Sequence, residues 1–511
     1  MELDLDKLPK DTEALQEIIR HLVESVDALE RRNKQLAHRL ECLLRSHYGK
    51  KSEKIDPGQL LLAFQELEES TESEPEEKIE ETEEEAPAAR KRRKRGRKRL
   101  PENLPRERIE HDLPPEQRVC SCCGAEKEKI GEEVTEELEY IPASFRVLEH
   151  VRFKYACKKC EGEVTTADLP ARVIDKGIPG PGLLSHVITS KYADHLPLHR
   201  LVGILNRQGV ELNKSTLCEW VGRCADLLSP VTQAMRKDLL LSKVINTDDT
   251  PVPVLDRERD RTRKGRLWVY IGDEEHPHVI FDYTPGRHSE GPTAFLKGFR
   301  GYLQADAYGG YDGLFTRDGP TEVGCWAHAR RYFFNAKSTE TLPAHTALAY
   351  ISRLYKVERQ GRALPPEERK WLRHAKARPI LEEFRHWLQD QSACVLPKSP
   401  MAEAIRYTLS QWEALNRYLE DGALSIDNNV SERALRSVVI GRKNWLFAGS
   451  DEGGRRAAVI YSLVASCKRH GVDPFEYFRD VLQRLSTQPA RDIAGLFPQN
   501  WKAEPELAMT S

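Results

Sequence analysis

Between residues 244 and 328, five short apolar runs follow one another: VINTD, RLWVYIG, HVIFDYT, GYLQAD and TEVGCWAH. A helical stretch, PTAFLKGF, stands between the third and the fourth. Short runs rich in β-branched and aromatic residues predict strands. Two aspartates, Asp248 in VINTDDTPV and Asp306 in GYLQADAYGGY, each end such a run. A third acid, Glu432 in SIDNNVSERALR, opens an arginine-rich segment that reads as a helix.

Two strand-borne aspartates and a helix-borne glutamate suit a pair of divalent cations. Mg²⁺ is a hard cation that takes a few carboxylates and completes its shell with water or phosphate oxygen. Two such ions can clamp both the attacking and the leaving oxygen of a phosphodiester displacement. The same residues could be ordinary surface acids, since the chain has 81 Asp and Glu.

The surrounding residues are more specific. TDDTPV, QADAYGGYDGL, GCWAHARR, IDNNVSERALR, GRKNWLFAGSDEGG and SLVASCKRHGVDPFEYF resemble the transposase of the insertion-sequence-66 family of bacterial mobile elements. With SKYADHLPLHRL and the paired cysteines upstream, the resemblance spans about residues 95–485. It implies a DDE transposase with an RNase H-like core, a mixed sheet in which Asp248 and Asp306 would end adjacent strands, Asp248, Asp306 and Glu432 as the catalytic triad, and two Mg²⁺ per active site. The family usually has Asp-Glu where this chain has Asp248-Asp249. Asp248 is taken as the ligand and Asp249 stays as its rival, because neighbouring strand residues face opposite ways. Arg433, Arg436, Arg442 and Lys443 follow the glutamate at spacings that could meet DNA phosphates, and arginine suits them by its bidentate geometry. Asp427, Asn428 and Asn429 read as a helix N-cap cluster. His328, Arg330 and Arg331 could support the site from the fifth strand, and residues 340–422 read as a helical insertion.

At 511 residues the chain is too long for one core. Leucines at 8, 15, 22, 29, 36 and 43, with Ile19, Val26, Asn33 and Leu40 between them, form a leucine-zipper pattern over residues 8–46. A buried asparagine in such a seam favours a homodimer in fixed register, as synapsis of two element ends requires. A linker at 66–105 is acidic first, then basic. Its glutamates cannot bury enough apolar surface to order themselves. Arg92, Arg93, Arg95, Arg97 and Lys98 belong to a nine-in-ten basic run. That run resembles an AT-hook, but nonspecific phosphate contact is favoured. The near-neutral net charge of −2 therefore hides a local footprint for double-stranded DNA.

Residues 106–175 read as a small β-rich zinc-finger-like module. Cys120, Cys123, Cys157 and Cys160 form two C-x₂-C knuckles, a complete thiolate set for one structural Zn²⁺. Cys122 could replace a ligand or stay free. Residues 180–235 read as a helix-turn-helix-like region with its second helix capped by Ser215, serving DNA contact or a structural bundle. Residues 240–450 make the catalytic core, and 451–490 two helices that cover the sheet.

The chain thus reads as multidomain α+β: coiled coil, zinc module, helical region, and RNase H-like core with insertion. Eleven cysteines without an export signal suggest reduced thiols and a cytoplasmic, nucleoid-associated protein. No apolar stretch reaches the roughly 18 residues of a membrane span. Accessory proteins of the same element are possible partners. The rival readings are a noncatalytic dimeric DNA-binding regulator and a nuclease without strand transfer.

Overall fold

The computed structural model describes residues 177–502 apart from 257–260 and 487–489. Before that, it describes residues 20, 23, 26, 29, 122, 144–155, 165–166, 168 and 171–175. The zipper is represented only by Arg20, Val23, Val26 and Leu29, which are helical and exposed. The basic run and Cys120, Cys123, Cys157 and Cys160 lie outside the described residues. Cys122 is exposed and a free thiol. The chain divides into two units, 75–151 and the remainder. The second unit holds the sheets and the helices of residues 181–485. In it, Lys154–Tyr155 pairs antiparallel with Thr165–Thr166.

The architecture is mixed α+β. Five strands, β1 (Val244–Val254), β2 (Arg263–Ile271), β3 (Val279–Thr284), β4 (Tyr302–Gln304) and β5 (Thr321–Val323), form one sheet in the order β3-β2-β1-β4-β5. The first three make an antiparallel meander, while β4 and β5 run parallel to β1. Each strand falls on one of the five apolar runs, because β-branched and aromatic residues suit a pleated, half-buried surface. Edge strand β3 is shielded by the helix Asp451–His470. Ser466 Oγ and Ser462 Oγ accept from the Val279 and Phe281 amides at 3.1 and 2.8 Å, so its free backbone groups cannot template another strand.

Three helices precede the sheet, Pro181–Tyr192, Leu198–Arg207 and Lys214–Leu239. The last differs from the sequence reading at both ends. It begins after Asn213 without the Ser215 cap, and it runs on through Pro230. It buries Leu217, Trp220, Val221, Cys224, Leu228 and Val231 in the main core. One face of it is taken up by packing, and the other is exposed at Glu219, Arg223 and Asp226.

A second core lies in the helices of residues 341–419, between β5 and the helix Asn429–Trp445. Its anchor is Arg373, in a π-helical turn at Arg373–Ala377, with a side chain 1% exposed. The guanidinium pairs with both Glu358 carboxylate oxygens at 2.8 Å and donates to the carbonyls of Tyr418, Asp421 and Leu424 at 2.7–3.0 Å. All five guanidinium hydrogens are thereby used. The bonds hold the segment that leads into Glu432.

Arg373→Met leaves the Glu358 charge and three carbonyls unanswered. It should cost about 3–5 kcal/mol, the range for breaking one side of a buried ion pair. A urea denaturation midpoint within error of wild type would refute that anchoring role.

Candidate active site

The site begins where β1 loses a neighbour. β1 and β4 pair as Val244–Tyr302, Ile245–Leu303 and Asn246–Gln304, and then the ladder stops. Asp248 stands two residues beyond Asn246 within β1, and Asp306 two residues beyond Gln304, just past the end of β4, close enough for its charge to act on Asp248. Asp248 is therefore in mid-strand, not at a strand end as the sequence suggested. Past Asn246, the edge of β1 turned towards β4 must find other partners.

The Glu432 helix and the residues at both its ends supply them. Asn428 Nδ2 donates to the Thr247 carbonyl at 2.8 Å. Arg442 donates to the Pro251 carbonyl, and the Ala448 amide to that of Pro253. The Asp249 amide is met by Asp248 Oδ1 at 2.7 Å. Pro251 and Pro253 have no amide to satisfy, which is why a TPVPV sequence is tolerated on this open edge.

Asn428 differs from the N-cap expectation. Its side chain bonds no helix amide. Instead its Oδ1 accepts from Asn246 Nδ2 at 3.1 Å and Ser431 Oγ at 2.9 Å. Asn246 Nδ2 also donates to Gln304 Oε1 at 3.0 Å. Gln304 Nε2 in turn donates to the Ser425 carbonyl at 2.7 Å. This knot joins β1, β4 and the approach to the helix that bears Glu432 in its first turn. Asp427 does the capping, accepting from the Asn429 amide at 3.1 Å while held by Tyr355 Oη at 2.9 Å.

Alternation along β1 separates the two aspartates. Asp248 shares a face with Asn246 and Thr250, both bonded to the Glu432 helix or its approach. Asp249 points the other way. Its side chain is 1% exposed and pairs with Arg266 and Arg287, each at 2.8 Å. Arg287 also lies 3.5 Å from Asp306 and over the Tyr308 ring. Sequence reasoning missed Arg287, Arg266, Asn246 and Gln304. Only the offset of Arg266 across the β1–β2 ladder, opposite Pro251 and diagonal to Asp249, could have been foreseen.

Burial pushes the Asp248 carboxyl up to about 7, with the Asp306, Asp249 and Glu432 charges adding to the effect. Burial also raises Asp306, against the opposing pull of His328 and Arg287. Asp306 Oδ1 is buried without a hydrogen-bond partner. Glu432 is held by Arg331 at 3.1 Å and lies 3.9 Å from His328. Those two residues sit in the helix Trp326–Ala336 that follows β5, not in the strand. Among the described residues no group of three His, Cys, Asp or Glu is arranged to hold a metal ion. The donor set nonetheless suits a hard divalent cation: three carboxylates under mutual repulsion, one with an unanswered buried oxygen.

Arg433, Arg436 and Lys443 are exposed along the Glu432 helix. Arg442 is turned inward, with Nη1 3.2 Å from Thr250 Oγ1.

Residues 176–456 match the family described as Transposase IS66 family. The chain belongs to it. Residues 117–161 match the zinc-finger binding domain of the IS66 transposase, a span containing all four paired cysteines. Residues 35–109 match a model described as transposase C of IS166 homeodomain, and 462–499 the IS66 C-terminal element. Similar proteins occur in Sinorhizobium fredii. The protein y4hP is 34% identical over 430 residues, covering 80% of this chain and 77% of its own. The protein y4qI is 36% identical over 413 residues, covering 78% and 76%. Both are described there only as uncharacterized. Among the described residues no helix is long and apolar enough to cross a membrane.

A carboxyl raised in the folded state keeps its proton there after the unfolded chain has lost it. Asp248 should therefore draw stability down as pH rises from about 4 to about 7, with no further loss above. Asp248→Asn removes that loss and should stabilise the metal-free protein at pH 8 by on the order of 4 kcal/mol. Asp249→Asn strips two arginines of their partner and should destabilise it. Thermal melts at pH 5 and pH 8 distinguish these signs, and a destabilised Asp248→Asn at pH 8 would contradict the repulsion.

Proposed function

We propose that this chain is a DDE transposase that cleaves DNA at the ends of its element and joins the freed strand to target DNA. The observation that carries the reading is that the charges of Asp306, past the end of β4, and of Glu432 both act on Asp248 in β1, with the start of the Glu432 helix pinned to that strand. Family membership supports a transposase, and the sheet order agrees with the RNase H-like core that the resemblance implies.

In this reading Asp248, Asp306 and Glu432 would hold two Mg²⁺ ions, which would lower the pKa of bound water and stabilise the leaving oxygen. Asp248 carries its negative charge readily once a cation offsets Asp306 and Glu432. Asp249 is no ligand. It anchors Arg287, which steadies Asp306 from the opposite face of the sheet. Arg433, Arg436 and Lys443 line the path of the DNA backbone, and Arg92, Arg93, Arg95, Arg97 and Lys98 add nonspecific affinity. Exchange of one phosphodiester for another needs no energy cofactor. Two chains paired through the N-terminal zipper bring two ends together, in a nucleoid-associated cytoplasmic protein.

Asp306→Asn should abolish both cleavage and joining while DNA binding persists. A strand-transfer assay with a free 3′-hydroxyl donor reads this directly. Undiminished joining by the variant would overturn the triad, and cleavage without joining by wild type would make the protein a nuclease.

Cys120, Cys123, Cys157 and Cys160 hold one structural Zn²⁺ in this reading. Elemental analysis should find about one zinc per chain, and Cys157→Ser should release it, since such modules fold on their metal. A well-folded, zinc-free wild type would reject the four-thiolate site.

A further inference from the structure

The helix that carries Glu432 ends in an unusual backbone. Leu446 has φ 67° and ψ −51°, and the Phe447 amide donates to the Trp445 carbonyl at 2.8 Å. This is a γ-turn of the rare, strained hand, centred on a leucine. Leucine has no steric reason to be there, where glycine would sit freely.

The turn is held from both sides. The Leu446 amide donates to the Arg442 carbonyl at 2.9 Å, and Ala448 is tied to Pro253 and Leu255 at the end of β1 by two bonds of 2.8 Å. Strain fixed this firmly collects at sites that act on a ligand. The ligand-facing groups are visible: Leu446 is 63% exposed and Phe447 44%.

Both residues close a stripe on the same helix. Arg433, Arg436, Ile440 and Lys443 are exposed at intervals of three, four and three, which places them on one side. The stripe starts beside Glu432 and is cationic for most of its length, so its complement is a polyanion. From Glu432 to the helix end at Trp445 is about 20 Å, or about six base steps of DNA.

We propose that Leu446 and Phe447 form a rigid apolar wedge that enters duplex DNA and unstacks a base step about six steps from the phosphate held at the acidic site. This rests on the transposase reading above and adds a position where the duplex is opened. The arginines and Lys443 hold the backbone along the stripe. The γ-turn presents the two side chains without the entropy of an ordered loop.

The test uses the full chain and a linear duplex carrying the fluorescent base aminopurine at single positions inward from its end. Wild type should raise the fluorescence several-fold at one or two adjacent positions. Leu446→Gly keeps the turn, relieves its strain and removes the side chain. It should melt no lower than wild type yet lose most of the signal, as should Phe447→Ala. Wild-type fluorescence from both variants overturns the wedge, and if wild type still joins strands the transposase reading stands without it. Arg433→Ala combined with Arg436→Ala should weaken binding and reduce its salt dependence. Unchanged binding there overturns the DNA path along this helix and the wedge with it. A loss of self-association by the two turn variants on sedimentation, with the fluorescence unchanged, would assign the patch to a second copy of the chain and overturn the proposal.

Discussion

The Asn428 side chain occupies a position that a further strand residue of β4 would otherwise fill. Parallel pairing of β1 with β4 stops at Asn246 and Gln304, and the edge beyond would present a bare carbonyl at Thr247. Leaving a buried carbonyl unmet costs about 1–3 kcal/mol. The amide of Asn428 answers it, and its oxygen is answered by Asn246 and Ser431. A helix start separated from β1 by some 180 residues of chain is thereby locked to the strand that carries Asp248. With the bonds of Arg442 and Ala448 to the same strand, this bond fixes Glu432 relative to Asp248.

The insertion supports the same junction from outside. Arg373 fastens the carbonyls of Tyr418, Asp421 and Leu424, and Tyr355 fastens Asp427. The helical core of residues 341–419 therefore does more than fill a gap. It removes the conformational freedom of the approach to Glu432, and such freedom is what chiefly opposes an ordered loop. A change deep in the insertion core is expected to be felt at the acidic site through this route.

Much of this is legible in the chain. The five strands follow their apolar runs because alternation and β-branching act locally. Asp248 and Asp306 stand out because each follows such a run. The choice between Asp248 and Asp249 is not legible, since it depends on which face the Glu432 helix covers. Arg287 gives no signal, because its contact with Asp249 arises only when the β3 connection folds back. Asn428 reads as a cap because Asx residues before a helix usually are; here tertiary bonding overrides the local one. The long helix outruns its reading because Pro230 normally ends helices, yet packing of Val231 and Met235 in the core carries it through.

The site and the end of its helix share a physical logic. At one end, repulsion among carboxylates adds to burial and pushes the Asp248 carboxyl up to about 7. At the other, a leucine is forced to positive φ. Both are unfavourable in the isolated chain, and both are fastened by bonds to the same strand: Thr247 by Asn428 near the glutamate, Pro253 by Ala448 past the turn. Strand β1 is thus a rigid bar against which one helix is held under load at both ends. A ligand that neutralises the carboxylates and covers the apolar turn would relieve both loads together. Nucleic acid with its bound cations has both properties, which is the physical reason to expect affinity and chemistry to reside on this one helix.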